Sequence, residues 1–236
     1  MNALDPRPSV INERLSGIGR IIAVTGWKGG IGKTVTASTL ALLLAEKGFR
    51  TGLLDLDFAG ASAHVALGAG NAFPKEEKGL EPPVIAGVKL MSVSFFSGKK
   101  AVPLRGANVS DAIVEMLAIT QWGKLDFLII DMPPGINDAA LDVIRLIPGA
   151  EALAVTTPSV MARSVLERSL TLYKRLKVPV LGVITNMAAG RKTTARGRWS
   201  GGVRIDTGLE KALGRPAALL KTAFARDLGA IISKAL

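Results

Sequence analysis

Short unbroken apolar runs recur along the chain, separated by stretches with either a helical period or a cluster of turn residues. Ile21-Ile22-Ala23-Val24, Gly52-Leu53-Leu54, Val88-Lys89-Leu90-Met91, the run from Leu125 to Ile130, Ala152-Leu153-Ala154-Val155 and Val180-Leu181-Gly182-Val183-Ile184 each read as a buried strand. Val35 to Lys47, with Leu40, Leu42, Leu43 and Leu44, predicts a largely buried helix that Gly48 stops. Near the end, Phe224, Leu228, Ile231, Ile232 and Leu236 share one helical face. Strands alternating with helices imply right-handed crossovers, hence an α/β fold with a mostly parallel sheet and helices on both faces. A ligand of such a sheet sits at the carboxyl ends of its strands. Residues 1–19, with Pro6 and Pro8, read as an N-terminal arm, and residues 20–236 as a single domain. Residues 68–83 mix Gly, Pro, Lys and Glu and read as an exposed loop.

One junction in this pattern carries chemistry. The run ending at Val24 leads into Gly26-Trp27-Lys28-Gly29-Gly30-Ile31-Gly32-Lys33-Thr34 and then directly into the predicted helix. A glycine-rich turn between a buried strand and a helix leaves unpaired backbone N–H groups converging where the helix dipole also favours negative charge. Phosphate is the natural occupant. Gly29, Gly30 and Gly32 let the backbone approach phosphate oxygens, Lys33 reaches the β- and γ-phosphates, and the Thr34 hydroxyl ligates Mg²⁺.

Three carboxylates stand in matching places. Asp55 and Asp57 alternate at the end of the Gly52 run, so they point the same way, an arrangement suited to Mg²⁺-associated water and to orienting an attacking water. Solvated carboxylates in a loop are the alternative reading of that pair. Asp131 closes the Leu125 strand and is followed by the stiff Pro133-Pro134-Gly135 turn, which places it for Mg²⁺-bound water.

Lys28 to Thr34, read as Lys-Gly-Gly-x-Gly-Lys-Thr, resembles the deviant Walker A motif of the MinD, ParA and Mrp ATPases. Asp55 to Ser62 is similar to the switch I segment of Mrp proteins, Asp-x-Asp-x-x-Gly-x-Ser, and Asp131 to Gly135 resembles Walker B with switch II, closer to Mrp than to ParA. The resemblance implies a three-layer P-loop NTPase fold over residues 20–236, ATP and Mg²⁺ as cofactors, and hydrolysis to ADP and phosphate. It also implies a nucleotide-sandwiched homodimer in which Lys28 reaches the partner's phosphates, as an arginine finger in trans would. By the same resemblance Asp57 takes the attacking water, Asp55 the metal side, and Asn186 of Thr185-Asn186-Met187 the adenine edge. A strand-end cap is the other reading of Asn186. The candidate sets are therefore Lys28, Lys33 and Asp57 for catalysis; Gly29, Gly30, Ile31, Gly32, Lys33, Thr34, Val35 and Asn186 for nucleotide; and Thr34, Asp55 and Asp131 for metal. The loop departs from the strict pattern once, with Trp27 in the slot that calls for glycine.

Composition changes this picture in two places. There is no cysteine among the 236 residues. Mrp-type iron–sulfur carriers place Cys-x-x-Cys shortly after the Asn-Met strand, where this chain reads Ala188 to Trp199, so no thiolate-held cluster is expected. His64, the only histidine, reads as a helix-surface or switch-region residue. The cysteines' place is taken by basic residues. The formal net charge is +11, and Arg191, Lys192, Arg196, Arg198 and Arg204 fall in one stretch without an acid. That stretch fits nucleic-acid phosphates, with Trp199 free to stack, or an acidic protein partner; a merely solvated loop reads equally well. Hence two functions stand: an Mrp-like slow ATPase, and a ParA- or MinD-type switch that attaches to DNA or membrane when ATP-bound. The final helix, basic and amphipathic, reads as closing the core rather than lying on a membrane. No secretory leader or apolar run of membrane-spanning length is seen, and the expected location is cytoplasmic.

Overall fold

The computed structural model describes residues 5–97, 107–135, 137–190 and 197–234. Its elements, in chain order, begin with α1 (Arg7–Leu15), β1 (Ile18–Thr25), α2 (Lys33–Glu46), β2 (Thr51–Asp55) and α3 (Ala63–Leu67). Short strands β3 (Lys75–Glu76), β4 (Leu80–Glu81) and β5 (Val84–Ile85) lead to β6 (Val88–Ser92), α4 (Ser94–Ser97), α5 (Ala107–Ile119), β7 (Leu125–Asp131) and α6 (Asp138–Leu146). Then follow β8 (Glu151–Thr156), α7 (Val160–Arg175), β9 (Val180–Ala188), β10 (Gly201–Arg204), α8 (Leu209–Ala212), α9 (Pro216–Leu219) and α10 (Ala223–Ile232).

Eight strands form one sheet in the order β10-β9-β8-β1-β7-β2-β6-β5. Every pairing in it is parallel except β5 with β6. The apolar runs are continuous because both faces are covered. Along β1, Ile22 and Val24 point into a core shared with α2, α3 and α10, whereas Ile21 and Ala23 point into one shared with α1, α5 and α6. Helix α7 lies on the latter face, where Leu166 packs on Ala154 and Val183. The result is the three-layer α/β fold. Helix α2 is buried from Thr36 to Leu44, and its leucines at positions 40, 42 and 44 each contribute about 2 kcal/mol of burial. Gly48, at φ +87°, ends it as expected.

Two segments depart from the sequence reading. Residues 7–15, expected in an irregular arm, form α1, with Ile11 and Leu15 buried against the α5 side of the core. Pro6 and Pro8 sit at its start, where the missing N–H costs nothing. Within 68–83, Lys75–Glu76 and Leu80–Glu81 pair as a small antiparallel hairpin. The final helix does close the core: Phe224, Leu228, Ile231 and Ile232 are buried; Leu236 lies outside the described residues. Among the described residues no helix is long and apolar enough to cross a membrane.

Candidate nucleotide site

The parallel register brings the chemistry-bearing residues to one edge. Asp55 and Asp131 are direct neighbours at the ends of β2 and β7, and Val24 of β1 is the next partner of Asp131. The phosphate loop leaves β1 beside them. Gly32, at φ +89°, is the N-cap of α2, a conformation that leaves the helix's first amides open and that a side chain would strain. A Cβ at Gly29 or Gly30 would meet nothing within 4 Å, so the space beside this part of the loop is open. Lys28, Gly29 and Gly30 are exposed, Ile31 and Lys33 are buried, and Thr34 and Val35 are half-buried.

The charged centre is compact. Lys33 Nζ stands 3.7 Å from both Asp57 Oδ2 and Asp131 Oδ1. The Thr34 hydroxyl donates to Asp131 Oδ2 at 2.5 Å. Asp131 is fully buried, and its Oδ1 has no hydrogen-bond donor. Burial pushes its carboxyl up to about 7, against the pull of the Lys33 ammonium. An oxygen so placed is satisfied by a cation or its water. Among the described residues no group of three or more His, Cys, Asp and Glu could hold a metal ion. The Thr34 hydroxyl and the undonated Asp131 oxygen fit Mg²⁺, which takes one or two protein ligands and completes its shell with phosphates and water.

Asp55 is placed differently from Asp131. Its Oδ1 accepts from the Asp57 amide, and its Oδ2 from the Ala63 amide and the Ser92 hydroxyl, at 3.0–3.1 Å. Burial raises its pKa, opposed by these same bonds. The carboxylate organises the loop between β2 and α3. One of its donors is Ser92, which sequence reasoning missed because it stands as the plain end of an apolar strand. Asp57, half-buried, accepts from the Ala59 and Gly60 amides through Oδ1 and turns Oδ2 toward Lys33. Asn186 is buried at the end of β9: its Nδ2 donates to the Ile31 carbonyl at 2.9 Å, and its Oδ1 accepts from the Met187 amide. Both of its amide ends therefore meet backbone, one of them in the phosphate loop. Switch II is tied in by the Gly135 amide, which donates to the Gly26 carbonyl at 3.0 Å. His64 lies in α3, half-buried, with a buried Nδ1 that has no hydrogen-bond partner.

The basic stretch corrects an expectation. Trp199, which one of the readings left free to stack on nucleic acid, is fully buried in the core, with the Arg20 guanidinium 5.6 Å from its ring. Arg204 is engaged by the buried carboxylate of Asp227 at 2.8 Å. Arg198 is exposed; residues 191–196 lie outside the described ones.

A buried strand feeding a glycine-capped helix, with a lysine and a threonine aimed at an aspartate on the neighbouring strand, defines a P-loop NTPase of the ParA, MinD and Mrp type. The chain belongs to the ParA-type family of NUBPL iron-transfer P-loop NTPases, which matches residues 17–198. It is 39% identical over 178 residues to the iron-sulfur cluster carrier protein of Pseudomonas fragi, a match covering 74% of this chain and 62% of that one. The chain spans about half the length of other curated relatives it matches. A nucleotide-binding protein from Archaeoglobus fulgidus, solved in complex with ADP, superposes with a TM-score of 0.75 at 30% identity, over 91% of this chain and 93% of that one. The cell division ATPase MinD of Pyrococcus furiosus shares the fold, with a TM-score of 0.64 at 20% identity over 92% of this chain and all of that one.

Proposed function

We propose that this chain is an Mg²⁺-dependent ATP-binding protein and slow ATPase that works as a nucleotide-sandwiched homodimer. The cluster of Lys33, Thr34, Asp57 and Asp131 at the mouth of the phosphate loop carries the reading. Lys33 leaves its two carboxylates for the β- and γ-phosphates, and Thr34 and Asp131 are the residues that would hold Mg²⁺. When bound, Mg²⁺ neutralises charge on the phosphate oxygens. Asp57 orients the water that attacks the γ-phosphorus as the bond to the β-phosphate oxygen breaks. Lys28, exposed on the loop's outer edge, meets the charge that develops in the partner's site. Asp55 supports the metal side by fixing the loop that carries Asp57, and Asn186 braces the phosphate loop through the Ile31 carbonyl.

The cellular task in this reading is a loading or assembly step in iron–sulfur metabolism, supported by the family and by the names of its carrier relatives. The 236 residues contain no cysteine and so supply no thiolate to a cluster; in this reading the iron–sulfur role has been lost or handed to another subunit. Anaerobic reconstitution of the purified chain is expected to leave no stable cluster on it; a stoichiometric, chromatographically stable cluster overturns that part.

Nucleotide binding and phosphate release measured side by side in Lys33→Ala and Lys28→Ala test the enzyme. The first should weaken Mg·ATP binding at least about tenfold. The second should keep affinity and lose the turnover that rises with protein concentration. Wild-type protein without measurable nucleotide binding, or Lys28→Ala with wild-type turnover, refutes the proposal.

The net charge of +11 supports a second reading, attachment of the ATP-bound dimer to DNA or another acidic partner. Retention on DNA that requires ATP and falls steeply with salt is its signature, and no retention at low salt removes it.

A further inference from the structure

Trp27 occupies the one position where the loop departs from the strict pattern, and its surroundings give it a task. The indole leans on Tyr173 of α7, ring centroids 6.2 Å apart and tilted by 46°. It packs as well on the small cluster of Ala154, Leu166 and Val183, with Leu170 beside it. The Tyr173 hydroxyl in turn shares a 2.7 Å hydrogen bond with Thr25, both side chains being buried. Residues 25 and 27 are thus fastened to one helix by two different contacts. Between them, Gly26 is tied to switch II through its carbonyl, and a Cβ there would come within 2.5 Å of Ile31. The loop's leading edge is held from three sides up to Trp27. The next residue, Lys28, is exposed. A short distance inward, the carboxylates of Asp57 and Asp131 already draw Lys33 to 3.7 Å.

We infer that Trp27 is a positioning residue for Lys28: its indole, docked on α7, holds the loop's leading edge so that Lys28 projects from the molecule instead of folding onto its own carboxylates. Glycine in this slot gives the backbone freedom, and a large ring fixed on a helix removes it. The buried indole N–H has no hydrogen-bond partner, so the anchoring is through ring packing, and another aromatic ring can replace it. The inference rests on the proposed role of Lys28 only for its effect on turnover; the placement of Lys28 stands or falls separately.

Both levels can be read from one set of proteins: wild type, Trp27→Phe and Trp27→Ala. Brief acylation with an N-hydroxysuccinimide ester, quantified lysine by lysine by mass spectrometry, reports placement. Lys28 should react in wild type and Trp27→Phe at the rate of other exposed lysines, and at least threefold more slowly in Trp27→Ala. Steady-state phosphate release should show kcat falling at least tenfold in Trp27→Ala with KM for ATP within threefold of wild type, and recovery in Trp27→Phe. Unchanged Lys28 labelling in Trp27→Ala overturns the inference, as does a loss of nucleotide affinity that parallels the loss of kcat or is not rescued by Trp27→Phe. Wild-type protein that binds ATP without turnover refutes the ATPase reading, while the labelling still decides the placement.

Discussion

Asp131 concentrates the electrostatics of the site, because a carboxylate with no exposure and one unbonded oxygen is held beside a single ammonium. Burial raises its folded-state pKa to about 7, above the ordinary aspartate value of about 3.9. The nucleotide-free folded chain therefore binds this proton more tightly than the unfolded chain does. Its contribution to stability is complete below about pH 4 and is lost as pH rises through about 7. Urea unfolding without nucleotide should show stability declining across that window, with the decline flattened in Asp131→Asn; identical slopes in the two proteins would contradict the assignment. Gly32 makes a steric counterpart. Its φ is +89°, and a Cβ at this position would collide with Asn186 Nδ2. Gly32→Ala should push the asparagine off the Ile31 carbonyl and weaken Mg·ATP binding by about tenfold or more, roughly 1.4 kcal/mol, read by equilibrium titration.

At the scale of elements, the strands were legible wherever both faces are covered, since continuous apolar runs such as Leu125 to Ile130 admit few other readings. The candidate carboxylates were legible for the same reason: they mark where such runs stop. Contacts between segments distant in sequence were not. Helix α1 is a mostly polar stretch that buries only Ile11 and Leu15, so its apolar period was too sparse to outweigh two prolines. Trp199 sits among arginines in the sequence and in the core in space, because β10 pairs with β9 and carries the preceding turn under the sheet's edge. Gly182 permits that close approach: a Cβ there would collide with the Trp199 carbonyl. The clash is with backbone, which cannot swing away. Gly182→Ala is accordingly expected to destabilise by about 3 kcal/mol, and Trp199→Ala by about 3–5 kcal/mol, both measured as shifts of the urea midpoint at constant slope. A change below about 0.5 kcal/mol in either would mean that this edge does not pack as described.

For the molecule as a whole, helices occupy both faces of the sheet, and the common direction of its parallel strands sends the phosphate loop, both switch segments and Asn186 to one edge. A ligand there would tie together the ends of β1, β2, β7 and β9, so its binding should be visible in global unfolding. At a free nucleotide concentration about a hundred times Kd, linkage supplies about 2.7 kcal/mol, which for a chain of this length is a rise in Tm of about 5–10 °C. Lys33→Ala should lose that rise and Lys28→Ala should retain it, because Lys33 faces this chain's own loop interior and Lys28 faces outward. A sandwich dimer adds a second dependence. If both subunits close on two ATP molecules, Tm with saturating Mg·ATP analogue should climb with protein concentration, whereas with ADP it should not. Lys28→Ala should then behave with ATP analogue as wild type behaves with ADP: ligand-stabilised but independent of protein concentration. A wild-type Tm that stays flat from micromolar to hundred-micromolar protein with the analogue bound would leave the P-loop chemistry intact and remove the dimer from it.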